Sequence, residues 1–245
     1  MPIINMMKAH KWILSLSMTL MVSCSNNDNS TIDSTLQVKA TSILENKLTE
    51  LNALSGQAIV MEVQTGHIKA MVGLERKDST DYQPCENFSQ AHESALMHPI
   101  SILAALETGK VKLSDMVDVG NGSYSVQDRE LKDHNWHRGG YGKITVEQGF
   151  GLASNIANYK AVRKAFDNEQ AFAEVLAKYG YQVKDTSLVY NSLGYGILTT
   201  PLQNLTFFNY IAKSKTAIKE ALEYSVSNGL AKPTQSDKVK VAGAT

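Results

Sequence analysis

The sequence predicts an α/β (α+β) protein in which an antiparallel sheet packs between helices. Residues 57–73 have the pattern of two strands joined by a tight turn, segments with helical spacing lie on both sides of them, and residues 238–242 alternate Lys and Val in a strand pattern. The 245 residues, 43% of them hydrophobic, are enough for one sizeable core. Lys and Arg total 24, as do Asp and Glu, so the net charge gives no reason to expect nucleic-acid binding.

Residues 1–23 are predicted to be an export signal. Basic residues at the front precede an apolar run at 12–22 that is too short to span a bilayer as a helix. Residues 21–24, Met-Val-Ser-Cys, resemble the lipobox of bacterial lipoproteins, in which the cysteine is lipidated. We therefore expect Cys24 to anchor the mature protein to a membrane. The alternative is an ordinary secretory signal with an incidental cysteine.

Residues 24–55 are predicted to form a polar tether followed by a helix that leads into the domain, and the domain itself is expected to span 56–245. Strands are expected at 57–63 and 67–73, with Gly66 in the turn between them. The next segment, 92–109, has small and polar residues at its front, then an unbroken apolar run, then a glycine, which predicts a central helix.

The remaining elements follow from local signals. Thr145 with Gln148 predicts a capping box at the start of a helix that carries apolar residues as far as Val162. Thr200, Pro201 and Gln203 predict another helix start. The patterns also predict a strand-and-turn region at 111–122, helices at 168–179 and 216–227, and a late strand at 238–242.

The central segment resembles the nucleophile helix of penicillin-binding proteins and serine β-lactamases. Pro99, the run Ala-Ala-Leu-Glu at 104–107 and Gly109 fix the register of this resemblance. In that register Ala95 takes the place of the nucleophilic Ser and His98 takes the place of the catalytic Lys. Resemblance thus implies a scaffold that is present and a reacting pair that is replaced.

Two further motifs of that family are matched in order. Ala153-Ser154-Asn155 resembles Ser-Ser-Asn with its first Ser replaced, and the end of the chain resembles Val-Ala-Gly-Lys-Thr-Gly with Ala244 in place of Lys and Thr245 retained. The loop at 132–142 and the Gly-Tyr-Gly and Thr-Pro-Leu-Gln runs at 194–203 are also similar to segments of transpeptidases. The resemblance covers 56–245, without the strands that follow the third motif in the family.

The resemblance implies a peptidoglycan transpeptidase domain without a required cofactor. Because four reacting positions are replaced, we expect a pseudoenzyme of the cell envelope that binds a peptidoglycan stem peptide or a protein of cell-wall synthesis. The expected groove residues are Ser154, Asn155, His134, Trp136 and Thr245.

Three alternatives remain open on the sequence. Ser94 lies four residues before His98 and is a fallback nucleophile for an active transpeptidase or carboxypeptidase, and Ser154 is another. A non-functional fragment is also possible, because the missing strands would leave an open sheet edge. A metal site at His134 and His137 is not expected, because no Cys or Glu cluster completes it.

Overall fold

A computed structural model describes residues 31–77, 81–93, 96–183 and 187–244. The described part combines helices with antiparallel strands, which confirms the predicted fold class. The expected signal peptide with Cys24, and also Ser94, Ala95 and Thr245, lie outside the described residues. Within the described ranges, no helix has the length and apolar character needed to cross a membrane.

The helices of the described residues are α1 Ser34–Glu50, α2 Met97–Glu107, α3 Val146–Gly151, α4 Asn155–Ala165, α5 Glu169–Lys178, α6 Leu188–Leu193, α7 Pro201–Lys213 and α8 Ile218–Asn228. The strands are β1 Ser55–Met61, β2 Ile68–Glu75, β3 Gln83–Pro84, β4 His92–Glu93, β5 Met116–Gly120, β6 Ser123–Val126, β7 Arg129–Lys132, β8 Gly142–Thr145 and β9 Leu198–Thr199. They form a three-stranded sheet in the order β1-β2-β3 and the pairs β4-β9, β5-β8 and β6-β7.

The predicted hairpin and the helix before it are confirmed. β1 and β2 pair antiparallel, with Gly66 at φ +76° in the turn between them. Asp33 caps α1 by accepting a hydrogen bond from the Leu36 backbone N–H. The Gln37 side chain then exchanges two hydrogen bonds with the Met71 backbone, at 2.9 and 2.8 Å, which fixes α1 against β2.

The main core surrounds α2. Three of its residues, Ile100, Ile102 and Leu103, are each only 1% exposed, and α2 packs against α4 and α6. The prediction that the helix spans 92–109 is wrong at its front. Residues His92–Glu93 instead pair with β9, and the helix begins only at Met97, because the backbone hydrogen bonds of His92 and Glu93 go to a strand.

The helix predicted from Thr145 onward is two helices. The capping box is present: the Thr145 hydroxyl accepts from the Gln148 N–H, and the Gln148 side chain accepts from the Thr145 N–H. However, α3 ends at Gly151, because Ala153 takes a left-handed conformation, with φ +49°, that does not continue a helix. Ser154 then caps a new helix, α4.

The strand predicted at 238–242 is absent from the described structure. The segment runs along α8, where the Gly243 N–H donates to the Leu222 carbonyl at 3.1 Å and Lys240 pairs with Glu223 at 2.7 Å. A strand requires a neighbouring strand for its N–H and C=O groups, and among the described residues none lies beside this segment.

Candidate functional site

His98 lies in the first turn of α2, near the side chain of Asn155. Burial lowers the pKa of His98 from its ordinary value of 6.5 to about 4, although the Asn155 side chain acts in the opposite direction. The residue as a whole is half-buried. At neutral pH the imidazole is therefore uncharged, unlike a lysine at the same position.

Asn155 joins three elements. It is the first residue of α4, its side chain lies near His98 on α2, and its Nδ2 donates to the carbonyl of Lys132, the last residue of β7, at 2.9 Å. The structure thus brings His98, Asn155 and the carbonyl of Lys132 together.

Ser154 is completely buried, with 0% of the residue exposed. Its hydroxyl donates to Asp133 Oδ2 at 2.7 Å and accepts from the Ala157 N–H at 3.0 Å. Asp133 is also 0% exposed, and its other oxygen, Oδ1, accepts from the Ile156 N–H at 3.1 Å. The expectation that Ser154 lines a groove is corrected, because its hydroxyl caps a helix below the surface and does not face a ligand.

Asp133 is a residue of the site whose role the sequence pattern did not predict. It lies at the start of the loop that resembles the transpeptidases, but nothing in the local pattern connects it to a serine 21 residues later. A buried carboxylate requires hydrogen-bond donors, and Ser154 and Ile156 supply them. The pair holds the loop against the start of α4.

Ala153 and Ala244, the other described positions that the resemblance assigns to reacting groups, carry only a methyl group. Ala153, with its positive φ, forms the break between α3 and α4. Ala244 is half-buried and packs against the main core. Neither methyl group can relay a proton or bind a carboxylate, and Ser94, Ala95 and Thr245 remain outside the described residues.

The loop that follows β7 presents aromatic and basic side chains. A 3₁₀ turn at Trp136–Arg138 leaves Trp136 49% exposed, and the ammonium of Lys132 lies 4.4 Å from the centre of the Trp136 ring. His134 Nε2 is 2.9 Å from the Tyr141 hydroxyl, and Arg138 Nε donates to His137 Nε2 at 3.1 Å. The two imidazoles therefore have separate partners, and the described ranges contain no group of three or more potential metal ligands.

This loop is positioned by close backbone contacts. Gly140, at φ +70°, lies against the turn between β5 and β6, where an added Cβ would be 2.2 Å from the carbonyl carbon of Asn121. A Cβ on Gly122, at φ +84°, would be 2.8 Å from the Cα of Trp136. Only glycine fits at either position, since both the space and the backbone conformation exclude a side chain.

Two open cavities lie elsewhere, along β1. The first, of about 480 Å³, is bordered by β1, β4 and α7, and the second, of about 430 Å³, lies between α1 and β1. Neither is lined by His98, Asn155 or Trp136. The site residues therefore form a surface rather than the wall of either cavity, and this surface offers an amide, a neutral imidazole and an exposed indole for hydrogen bonding and stacking.

Comparison with known proteins matches residues 56–243 to the penicillin-binding protein transpeptidase domain. The fold is similar to that of a peptidoglycan glycosyltransferase from Burkholderia ambifaria, with a TM-score of 0.72 and 18% identity over 86% of this chain and 79% of that one. It is also similar to the apo transpeptidase domain of penicillin-binding protein 3 from Burkholderia pseudomallei, with a TM-score of 0.74 and 19% identity over 89% of this chain and 76% of that one.

A third similar structure is penicillin-binding protein 2X from Streptococcus thermophilus, with a TM-score of 0.63 and 18% identity over 74% of this chain and 30% of that one. Identities this low establish the shared fold alone. The family match covers most of the chain, and it agrees with the order of motifs in the sequence. The chain therefore belongs to the penicillin-binding protein transpeptidase domain family.

Proposed function

We propose that this chain is a non-catalytic member of its family that acts in the cell envelope by binding a peptidoglycan stem peptide or a protein of cell-wall synthesis. The observation that carries the proposal is the state of Ser154, whose hydroxyl is buried and occupied by Asp133 and the Ala157 N–H. That hydroxyl is unable to attack a substrate without disrupting the start of α4.

Acyl transfer through a serine also requires a base that activates the nucleophile and groups that stabilise the developing charge. With a pKa of about 4, His98 is a weak base, and it carries no positive charge at neutral pH. The sequence register places Ala95 where the nucleophile stands in the family. Ala153 and Ala244 supply neither a proton relay nor a cation.

The binding surface proposed for the ligand consists of Asn155, His98, Lys132 and Trp136. The stack of Lys132 on Trp136 presents both a charge and an aromatic face, which suits a peptide that carries carboxylates and apolar side chains. The amide of Asn155 and the neutral imidazole of His98 hydrogen bond without requiring an ion pair. The proposed lipid on Cys24 would keep this surface at a membrane.

Covalent labelling with a fluorescent penicillin tests the absence of catalysis. We expect no labelled band from the purified chain, and the Ser94→Ala and Ser154→Ala variants should look the same as the wild type. Ser125→Ala, which changes an exposed serine on β6, is the matched control. A band that disappears in Ser94→Ala but not in Ser125→Ala would establish an active enzyme and overturn the proposal.

Titration with a labelled stem peptide tests the binding. Trp136→Ala should weaken binding about tenfold, because removing an aromatic anchor from an interface typically costs on the order of 1–2 kcal/mol. Tyr210→Ala is the control, since Tyr210 is 46% exposed on α7 and belongs to a different surface. Equal affinities of wild type and Trp136→Ala, for the peptide and for cell-wall proteins, would contradict the proposed surface.

A further inference from the structure

Arg129 differs from the other arginines of the chain in the state of its guanidinium group. The sequence contains four arginines. Three of them, Arg76, Arg138 and Arg163, each donate at least one side-chain hydrogen bond to the protein. Within the described ranges, the side chain of Arg129 makes neither a hydrogen bond nor an ion pair, although the residue is half-buried. A charge that has lost part of its hydration and has no acceptor binds an incoming acceptor readily.

The guanidinium of Arg129 is nevertheless held in place by an aromatic ring. Its central carbon lies 3.4 Å from the centre of the Tyr190 ring, a separation at which two planar groups stack face to face. Stacking uses the flat face of the guanidinium, so its N–H groups, which lie in the plane, stay free to donate. Because the side chain is already ordered, less conformational entropy is lost when a ligand binds. Arg129 is therefore preorganised for two parallel hydrogen bonds to a carboxylate.

Tyr190 is in turn fixed to the main core. Its ring packs edge to face against that of Tyr195, with the ring centres 5.8 Å apart. On the same helix, α6, the carbonyl of Ser192 accepts hydrogen bonds from Asn158 Nδ2 of α4 at 2.7 Å and from the Ser101 hydroxyl of α2 at 2.8 Å. Both donors are buried. The ring beneath Arg129 therefore belongs to a rigid part of the structure.

Arg129 borders the binding surface proposed above. It is the first residue of β7 and Lys132 is the last, so the two lie about 10 Å apart along the strand, the length of three extended residues. Helix α4 fixes both ends of this distance: Asn155 bonds the Lys132 carbonyl, and Asn158, one turn later, bonds α6. Side chains three apart on a strand leave opposite faces, so a ligand that contacts both lies along the edge of β7.

The neighbouring carboxylates do not neutralise Arg129. Glu130 pairs with Lys132 at 2.9 Å and also accepts a hydrogen bond from the Ser123 hydroxyl. Asp128 is exposed in the turn before β7 and forms no ion pair with Arg129. The position thus favours an anion, and the geometry of a stacked guanidinium favours one with two coplanar oxygens.

We propose that Arg129 binds the C-terminal carboxylate of the stem peptide and makes the surface selective for peptides with a free C-terminus. This inference rests on the proposed function, because it requires that the surface binds the peptide. Arg129 stands at the border of the surface, at the first residue of β7, where an extended ligand that runs along the strand edge ends. The side chain supplies both the charge and the planar donor geometry that such an end requires.

Two labelled stem peptides that differ only in a C-terminal carboxylate or amide test this role on the full chain. We expect the wild type to bind the carboxylate form about tenfold more tightly. Arg129→Gln should abolish this preference and leave the affinity for the amide form unchanged. Arg129→Lys should retain only part of it, because an ammonium does not form two parallel hydrogen bonds. Arg76→Gln is the matched control, since Arg76 lies 5.3 Å from the ring centre of Tyr82, outside the surface.

Substitutions of Tyr190 separate the position of the guanidinium from its charge. Tyr190→Leu retains the charge and removes the stacking ring, so it should reduce the preference for the carboxylate form without abolishing it. Tyr190→Phe retains the ring, and we expect the preference of the wild type. An arginine that acted through its charge alone would keep the full preference in both variants, which would contradict its orientation by Tyr190.

Equal affinities of the wild type for the two peptides would overturn the inference, as would a preference that survives in Arg129→Gln. Trp136→Ala distinguishes this failure from a failure of the proposed function. When Trp136→Ala weakens the binding of both peptides but the wild type does not discriminate between them, the binding surface stands and only the role of Arg129 is wrong. When neither peptide binds to the wild type, stem-peptide binding and the role of Arg129 are both overturned.

Discussion

At the scale of single residues, His98 combines a conspicuous sequence position with an environment that the sequence does not reveal. The resemblance to the family motif predicted that residue 98 takes the place of a lysine, and the structure adds the proximity of Asn155 and a pKa of about 4. Burial disfavours the imidazolium more than the nearby amide of Asn155 stabilises it. A protonated His98 is thus a destabilised state of the folded protein.

Folding stability should therefore depend on pH through His98. The unfolded chain binds a proton at this residue below its ordinary pKa of 6.5, whereas the folded chain binds it only below about 4. Above pH 6.5 His98 is neutral in both states and costs no stability. As the pH falls from 6.5 toward 4, the unfolded chain binds a proton that the folded chain does not, and the free energy of unfolding decreases. We expect a loss of about 2 kcal/mol, smaller than the full pKa shift implies because the residue is only half-buried.

Urea unfolding at pH 7.5 and pH 4.5 measures most of this loss. His98→Gln should reduce the difference in unfolding free energy between the two pH values, whereas His92→Gln, which removes an exposed imidazole on β4, should leave it unchanged. If the wild type and His98→Gln lose the same stability between these pH values, then the pKa of His98 is not depressed in the folded protein.

For Ser154, the sequence located the residue in a motif but did not predict what its hydroxyl contacts. The sequence matched residues 153–155 to a family motif, and the structure places Ser154 at the N-cap of α4. The direction of the hydroxyl was not predictable, because it depends on Asp133, which reaches residue 154 only through the packing of the loop against the helix. Local sequence thus located the motif, and tertiary contacts decided what its serine does.

At the scale of elements, the break between α3 and α4 determines where the site lies. Apolar spacing from Val146 to Val162 predicted one continuous helix, and that spacing reflects a real buried face. The interruption depends on Ala153, a residue with high helix propensity that is held at φ +49°. Propensity gave no signal for a break here, because the surrounding contacts overrode it.

Ala153→Gly should stabilise the protein. An L-residue in the left-handed region costs roughly 1–2 kcal/mol relative to glycine, so we expect the free energy of unfolding to rise by about 1 kcal/mol after the greater freedom of glycine in the unfolded chain is included. Ala173→Gly, within α5, should instead lower it by up to about 1 kcal/mol. Urea midpoints of the two variants measure both effects, and a decrease in both would show that Ala153 is not strained.

The elements that the sequence predicted well are those with strong local signals. Thr145 and Thr200 each cap a helix through the expected side-chain bond to a backbone N–H, and Asn168 caps α5 in the same way. The short pairs β4-β9 and β5-β8 were not predicted, since their strands are brief and their partners are distant in sequence. The segment at 238–242 shows the converse: strand propensity alone does not make a strand when no partner is beside it.

At the scale of the whole described domain, two hydrophobic cores differ in size. A small core contains Leu48, Val72, Leu74 and Tyr82 beneath α1, whereas the main core surrounds α2 and α4 and contains most of the buried apolar residues. Less apolar burial gives a smaller free energy of local opening. The part of the chain that contains α1, β1 and β2 should therefore open independently of the main core.

Native-state hydrogen exchange should resolve this difference. Amides in α1 and β1 are expected to exchange through openings that cost at least about 2 kcal/mol less than those of α2 and α4. Leu48→Ala should accelerate exchange in α1 and β1 while leaving α2 nearly unchanged, and Leu103→Ala, in the main core, should accelerate exchange everywhere. Uniform acceleration in Leu48→Ala would mean that the two cores unfold as one unit.

The contact between Gly140 and the turn at Gly122 has a consequence for how the loop at 133–142 can diversify. Its position depends on main-chain contacts at two glycines and on the buried Asp133, whereas Trp136 and His137 project outward without holding the loop in place. Substitutions at these two outward positions should therefore alter what the surface recognises at little cost in stability. The loop is therefore a fixed frame on which new specificities can arise by point mutation.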